Sequence, residues 1–319
     1  MNEEQQKPKP TDAVLGGKAT PQSAAVLGGI KGLRNRLESP DQQERIIALQ
    51  QAVNYGDEGL KLVIEASSLD RKELALNRKT PEALLQQLAL DKIMRVRRGV
   101  ALNRKTPEAL LQQLALDENE YVRWGVAENS KTPEALLQQL ALDENEFVRR
   151  GVAENPSTPV ALLQQLALDE DEDVRYTTIE TLVEVALNPN TPKEALQQLA
   201  LDKIMRVRRG VASNPSTPVA LLQQMAKEAS YQDRRELASN SKTPKALLQQ
   251  LALDEKWVVR REVAKNPNTP EALLQQLALD QDRDVRGGVA ENPNAPEALL
   301  QQLALDKNWD VRREVAKNP

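Results

Sequence analysis

Cysteine and histidine are both missing from these 319 residues. Without thiolates there is no disulfide framework and no thiolate-held zinc or iron–sulfur site. Without imidazole the commonest general base and the commonest transition-metal ligand are gone. Aromatics are scarce, at 3% of the chain with a single phenylalanine, so a core must be built from Leu, Val and Ala. Neither sign of charge dominates: 43 Lys and Arg stand against 47 Asp and Glu, a net of −4. That balance describes a mixed soluble surface and makes a nucleic-acid partner unlikely on charge alone. No apolar run approaches the roughly 20 residues that a membrane-spanning helix needs. The first ten residues, Met1 to Pro10, are polar and acidic rather than basic and then apolar, unlike a secretory signal. A cytoplasmic protein without cofactor or metal is the expectation.

What the chain has in quantity is repetition. A Thr-Pro or Ala-Pro pair places proline at Pro81, Pro107, Pro133, Pro159, Pro192, Pro218, Pro244, Pro270 and Pro296. The spacing is 26 residues except for 33 between Pro159 and Pro192. Such a period marks a solenoid, in which each unit buries its apolar face against its neighbours. Residues Thr132 to Asn155 show the unit. Thr132 is expected as an N-cap, with Pro133 at the first helical position and Glu134 near the positive helix end. Leu136, Leu137 and Leu140 follow at helical spacing and should be buried, while Gln138 and Gln139 face away. Asp143 should stop this helix A and start helix B, with Glu146 completing a capping box. Helix B should bury Val148, Val152 and Ala153. Asn155 should end it in the left-handed conformation, and Pro156 blocks continuation. The unit then holds two helices of about ten residues each.

Three regions follow. Residues 1–39 read as a flexible arm, rich in Glu, Gln, Lys and Pro at its start. Ala-Val-Leu-Gly-Gly occurs there twice, at Ala13–Gly17 and Ala25–Gly29. These segments either pack their Val-Leu pairs on the first helices or form a docking motif in two copies. A phosphate loop is not indicated, since GxGxxG is absent. Residues 40–76 read as a divergent helical cap. Ile46, Ile47, Leu49, Ala52 and Val53 form one stripe, Gly56 breaks it, and Leu60, Leu62, Val63 and Ile64 form the next. Arg71, Leu74 and Ala75 then mimic the second half of a repeat. Residues 77–319 read as nine repeats, with a seven-residue insertion near 176–187. Val174, Thr178, Leu182 and Val185 keep one stripe through it, so helix B should be longer there. The fold class is all-α: a right-handed α-solenoid of nine 26-residue two-helix repeats behind a divergent N-terminal cap.

The pattern Asn-Pro-x-Thr-Pro-x-x-Leu-Leu-x-x-Leu-Ala-x-Asp-x-x-x-x-Val-Arg-x-x-Val-Ala resembles the leucine-rich repeat variant family, within the wider HEAT-like group. The resemblance covers roughly residues 70–319 and implies a right-handed superhelix of paired helices, one of which can be short or 3₁₀. It implies no particular role. The twin Ala-Val-Leu-Gly-Gly segment also resembles the leader of some cyanobacterial repeat proteins.

Two rows of residues carry the candidate chemistry. Asp91, Asp117, Asp143, Asp169, Asp202, Asp254, Asp280 and Asp306 share one position of the repeat, with Glu228 in the remaining copy. Six residues after each comes an arginine: Arg97, Arg123, Arg149, Arg175, Arg208, Arg234, Arg260, Arg286 and Arg312. These read as a structural ladder that links adjacent units and caps helix B. The alternative is a basic stripe for phosphates, helped by second arginines such as Arg98 and Arg150, which makes a nucleic-acid-binding array the second reading. Carboxylates beside the first arginines argue against it. Catalysis finds no unique carboxylate pair, and the segments that break the repeat, 170–187 and 225–238, hold no nucleophile with a base.

Variation between copies points elsewhere. Leu-Leu-Gln-Gln-Leu-Ala-Leu-Asp hardly changes, while the four residues after the Asp change freely. Seven of the eight aromatics fall in that half-repeat: Tyr121, Trp124, Phe147, Tyr176, Tyr231, Trp257 and Trp309. A constant scaffold with varied aromatic positions suits a recognition surface for a protein or peptide. Tyr121, Trp124 and Phe147 should form one cluster, and Trp257 and Trp309 a second patch. Self-association through an uncapped last repeat is a further expectation, with Leu299, Leu303 and Val315 partly exposed.

Overall fold

The computed structural model describes residues 29–227 and 229–318, so the twin Ala-Val-Leu-Gly-Gly segments, apart from Gly29, lie outside the described residues. Every regular element among the described residues is helical. The chain divides into two compact units, Met1–Leu162 with Glu170–Val174 and Leu163–Asp169 with Arg175–Pro319.

The first unit opens with α1 (Gly29–Leu37), α2 (Gln42–Ala52), a 3₁₀ turn (Val53–Tyr55), α3 (Gly56–Glu65) and α4 (Ser68–Leu76). Residues 29–37 are therefore helical and not part of an arm. Ile30, Leu33 and Leu37 recur at helical spacing, and Leu33 is fully buried as α1 packs on α2 and α3. Gly56 sits at φ +54°, where a side chain would be strained, and this lets α3 start directly after the turn. Three repeats follow as α5 (Glu82–Leu88), α6 (Met94–Leu102), α7 (Glu108–Leu114), α8 (Glu120–Glu128), α9 (Glu134–Leu140) and α10 (Glu146–Glu154). The boundary between the units falls in α11 (Val160–Leu166) and α12 (Glu172–Leu187), and the 16 residues of α12 absorb the insertion as extra helix.

The second unit continues with α13 (Lys193–Leu199), α14 (Met205–Ser213), α15 (Val219–Ala226), α16 (Tyr231–Ser239) and α17 (Lys245–Leu251). It ends with α18 (Trp257–Lys265), α19 (Glu271–Leu277), α20 (Arg283–Glu291), α21 (Glu297–Leu303) and α22 (Trp309–Lys317). Each helix A thus has seven or eight residues and a regular helix B has nine, shorter than the ten expected. Helix B is α-helical throughout. Leu136, Leu137, Leu140, Val148, Val152 and Ala153 are all buried, as their spacing requires. Leu299 and Leu303 are buried as well, at 6% and 2% exposure, because the preceding repeat covers them; only Val315 is half-exposed.

The ends of the helices differ from the local reading. Pro133, not Thr132, is the N-cap of α9, and no side chain caps that end. The Thr132 hydroxyl turns back and donates to the Val126 carbonyl at 2.6 Å, closing the preceding helix B. Asn145, not Asp143, caps α10 by accepting from Phe147 N–H, and Glu146 makes no capping box there. Asn155 is extended (φ −72°, ψ 124°), not left-handed. Its carboxamide is committed to the neighbouring repeat. Asn155 Nδ2 donates to Ala127 O at 2.5 Å and Asn129 O at 3.0 Å, while its Oδ1 accepts from Ser157 N–H. Asn103, Asn129, Asn214, Asn240, Asn266, Asn292 and Asn318 make the same two donations, 26 and 28 residues back. This asparagine ladder satisfies carbonyls that helix ends leave orphaned and, at these eight asparagines, ties a helix B to the one before it.

One constant position is not explained by packing. Leu90, Leu116, Leu142, Leu168, Leu201, Leu253, Leu279 and Leu305 precede the repeated Asp and are 67–87% exposed. Nothing in the structure accounts for leucine there.

Candidate functional site

The repeated aspartate and arginine meet across copies. Arg123 Nε and Nη2 donate to Asp143 of the next repeat at 2.7 and 3.0 Å, a two-pronged bond, and Nη1 donates to its own repeat's Asp117 carbonyl at 2.9 Å. The carboxylate partner therefore comes from 20 residues on, and the aspartate six residues back contributes only its carbonyl. Arg97, Arg260 and Arg286 repeat this with Asp117, Asp280 and Asp306. Arg71 reaches Asp91, and Arg234 reaches Asp254. Arg149, Arg175, Arg208 and Arg312 make the same donation to the carbonyls of Asp143, Asp169, Asp202 and Asp306. Asp91, Asp117, Asp143, Asp202, Asp254, Asp280 and Asp306 also accept the N–H two residues on, as Asp143 does from Asn145 at 2.9 Å, which shapes the turn before helix B. Asp202 differs in taking Gln164 Nε2 at 2.7 Å.

Where the turn lacks the aspartate, the carboxylate moves. Asp70 and Asp233 occupy the position that is a core valine in other copies, such as Val122. Both are buried, and Ser67 and Ser230 cap the helix ends that carry them. Arg45 clasps Asp70 at 2.9 Å through two nitrogens, and Arg208 reaches Asp233 at 3.3 Å through one. The sequence signal was available in Ser-x-x-Asp at 67–70 and 230–233, a helix start with an acid aimed at its own turn.

These bonds set the ionisation of the row. The Arg286 guanidinium holds the Asp306 carboxyl below its ordinary range, and Arg45 does the same for Asp70. At Asp254 and Asp280 burial pushes upward, but the arginine bond, a backbone N–H and the nearby positive charge together bring the carboxyl below normal. A carboxyl with a lowered folded pKa contributes stability that is complete above its unfolded value, about 3.9, and is lost as pH falls through the folded value. With no histidine to titrate, stability should stay flat from about pH 8 to 5 and fall steeply only below about pH 4. Urea midpoints across that range test this, and a decline starting near pH 6 would contradict it.

A second surface lies on the outer half of helix B in the first unit. The Tyr121 and Trp124 ring centroids are 6.4 Å apart, and Trp124 and Phe147 of the next repeat are 6.3 Å apart. Both contacts are tilted, a favourable aromatic geometry. The Arg98 guanidinium lies 4.4 Å above Trp124, and that of Arg150 lies 5.4 Å from Phe147. Tyr121 and Phe147 are 39% and 40% exposed. Trp124 is half-buried against α10, where its ring occupies the space beside Gly151. Glu128 sits 3.5 Å from Arg98, and burial pushes its carboxyl up.

The remaining aromatics do not join this cluster. Tyr176, Tyr231, Trp257 and Trp309 are each exposed, and among the described residues no ring contact links Trp257 to Trp309. Trp309 instead carries Arg313 at 4.6 Å. The second arginines hold carboxylates throughout: Arg150 with Glu154, Arg209 with Glu236, Arg235 with Glu262 and Arg261 with Glu291. Among the described residues no group of acids is arranged to hold a metal, and no helix is long and apolar enough to cross a membrane.

Fold and surface together define an all-helical repeat protein in which two side-chain ladders join successive repeats within each unit. A family model, the leucine rich repeat variant, matches residues 146–171, one copy of the 26-residue pattern. Among solved structures, the chain is similar to a leucine-rich repeat variant described as having a novel repetitive structural motif. That match has 26% identity over 72% of this chain and 88% of the other, at a TM-score of 0.47. It is also similar to an engineered protein, at 14% identity over 91% and 97% of the two chains and a TM-score of 0.34. Computationally designed armadillo repeat proteins for modular peptide recognition match at 15% identity over 89% and 95%, with a TM-score of 0.18. Comparison with curated proteins gives no match.

Proposed function

We propose that the chain is a non-catalytic scaffold that holds a protein or peptide partner on the varied half-repeat, centred on Tyr121, Trp124 and Phe147. The observation that carries this reading is the aromatic cluster with arginines lying over it, built across two repeats. Rings and arginines dominate binding energy at protein interfaces. The ladders beneath hold that surface in a fixed shape, which lowers the entropic cost of binding. Most arginines of both rows pair with carboxylates, which disfavours phosphate tracking as the main role. A cytoplasmic location is part of this reading.

Tyr121 and Phe147 can be removed with little loss of packing, whereas Trp124 also supports the next helix. Replacing Tyr121 and Phe147 together by Ala should weaken partner capture from the native cell by roughly thirtyfold, equivalent to about 2 kcal/mol. The melting temperature should change little. Trp124→Ala should reduce both. Undiminished capture by the double variant would remove this face from consideration.

A further inference from the structure

We propose that the trough between α4 and α6 is a docking site for an amphipathic acidic helix of a partner protein. This rests on the reading of the first unit's helix B surface as a protein-binding face. The trough measures about 850 Å³ and runs alongside the aromatic cluster, with Tyr121 at its edge. Leu69, Leu76, Ile93 and Leu102 line it, and Lys72, Arg95 and Arg98 supply charge; no carboxylate is among its lining residues. Leu69 is 56% exposed and Ile93 38%, so the apolar surface is open to a ligand. The walls are ridges of two successive helices, with lining residues at intervals of three and four, and the natural complement of such a trough is the ridge of another helix. Gly99 keeps the floor low. A Cβ there would meet Ala75 Cβ at 2.9 Å, so glycine is what lets α6 approach α4 this closely beneath the trough.

The chain contains its own control. Asp91–Ala101 recurs letter for letter as Asp202–Ala212. In the second copy the arginines are already satisfied. Arg206 clasps Glu180 at 2.7 and 3.2 Å, and Arg209 takes Glu236 at 3.0 Å. Those acids lie 26 residues before and 27 after their arginines. Around the first copy the matching positions hold Leu69 and Gly125. Lys72 stands where the second copy has Val183. The same eleven-residue segment thus has Arg206 and Arg209 paired with acids in one place, and in the other it contributes Arg95 and Arg98 to a trough with no lining carboxylate. Arg98 retains a half-buried Glu128 at 3.5 Å, and the more exposed Lys72 retains Glu73 at 3.6 Å. The acid missing beside Arg95 is what a partner helix would bring, together with aliphatic side chains for the Leu69–Leu102 wall.

The test uses the full chain and a fluorescent helical peptide with leucines at i, i+3, i+4 and i+7 and glutamates on the flanking positions. Saturable binding by anisotropy is expected, weakened at least tenfold by Leu69→Glu, which installs the counterpart of Glu180. Leu69 is exposed, so this change should leave the melting curve intact. Arg206→Ala, at the quenched copy, should leave binding unchanged. Absence of saturable binding, an effect of Arg206→Ala equal to that of Leu69→Glu, or displacement of the peptide by a single-stranded oligonucleotide would overturn the proposal. Capture of the native partner separates it from the broader reading. Loss with the Tyr121 and Phe147 double variant but not with Leu69→Glu sinks the trough alone, whereas no loss with either sinks both.

Discussion

Asn129→Ala should cost the protein about 3–4 kcal/mol, among the largest effects of any single polar substitution in the array. The side chain is 2% exposed and makes three bonds. Nδ2 donates to Ala101 O at 2.6 Å and Asn103 O at 3.1 Å, and Oδ1 accepts from Lys131 N–H at 3.0 Å. Alanine leaves the Ala101 carbonyl and the Lys131 N–H without these partners and takes one of two donors from the Asn103 carbonyl, which keeps Thr106 N–H; each group so stranded costs about 1–3 kcal/mol. Asn129→Asp should be at least as harmful at neutral pH. It keeps the acceptor but turns the donor into a carboxylate oxygen facing two carbonyls. Gln138→Ala, on an exposed helix A face, should stay within about 0.5 kcal/mol. Urea unfolding of the full chain measures all three, and hydrogen exchange at Lys131 reports the local opening. A loss below about 1 kcal/mol for both Asn129 variants would show that the ladder is ornamental.

The expectation for this residue type failed for an instructive reason. Asn at a helix end, followed by Pro, is a local signal for the left-handed conformation. The real partners are carbonyls 26 and 28 residues earlier, and no local rule reports a bond of that span. A clue did exist. If only backbone conformation mattered, glycine would serve better, yet Asn77, Asn103, Asn129 and Asn155 all retain the carboxamide. Thr132 misled in the same way: Thr-Pro reads forward as a cap, while the hydroxyl is used backward on Val126. Apolar positions were legible because burial follows period directly, as Leu136, Leu137, Leu140, Val148 and Val152 illustrate. The Tyr121–Trp124–Phe147 group was legible because Phe147 lies 26 residues after Tyr121 and Trp124 lies a helical turn from it. Trp257 and Trp309 were too many layers apart for contact. The trough was hidden because it depends on which residues flank an otherwise repeated segment, and a repeat read copy by copy does not show its neighbours.

Arg123→Ala should cost about 2–4 kcal/mol, and Arg123→Lys should recover less than half of that. The arginine and Asp143 side chains are 12% and 9% exposed, too buried for water to replace the lost partner fully. Removing Arg123 strands the Asp143 carboxylate and frees the Asp117 carbonyl at once. Lysine supplies charge but not the fork that meets two carboxylate oxygens and a carbonyl together. Asp143→Ala should lose a similar amount, since it leaves a guanidinium half-satisfied and also releases the Asn145 N–H that shapes the turn. The double variant should fall short of the sum by more than about 1 kcal/mol, because both changes break one bond pair. Arg206→Ala supplies the contrast. Its pair with Glu180 has similar distances but side chains 54% and 37% exposed, so its loss should barely shift the urea midpoint. If Arg123→Ala proved no worse than Arg206→Ala in denaturant, the ladder would be a surface decoration, and the rigidity that the aromatic face requires would have to rest on the asparagine rungs and the leucine core alone.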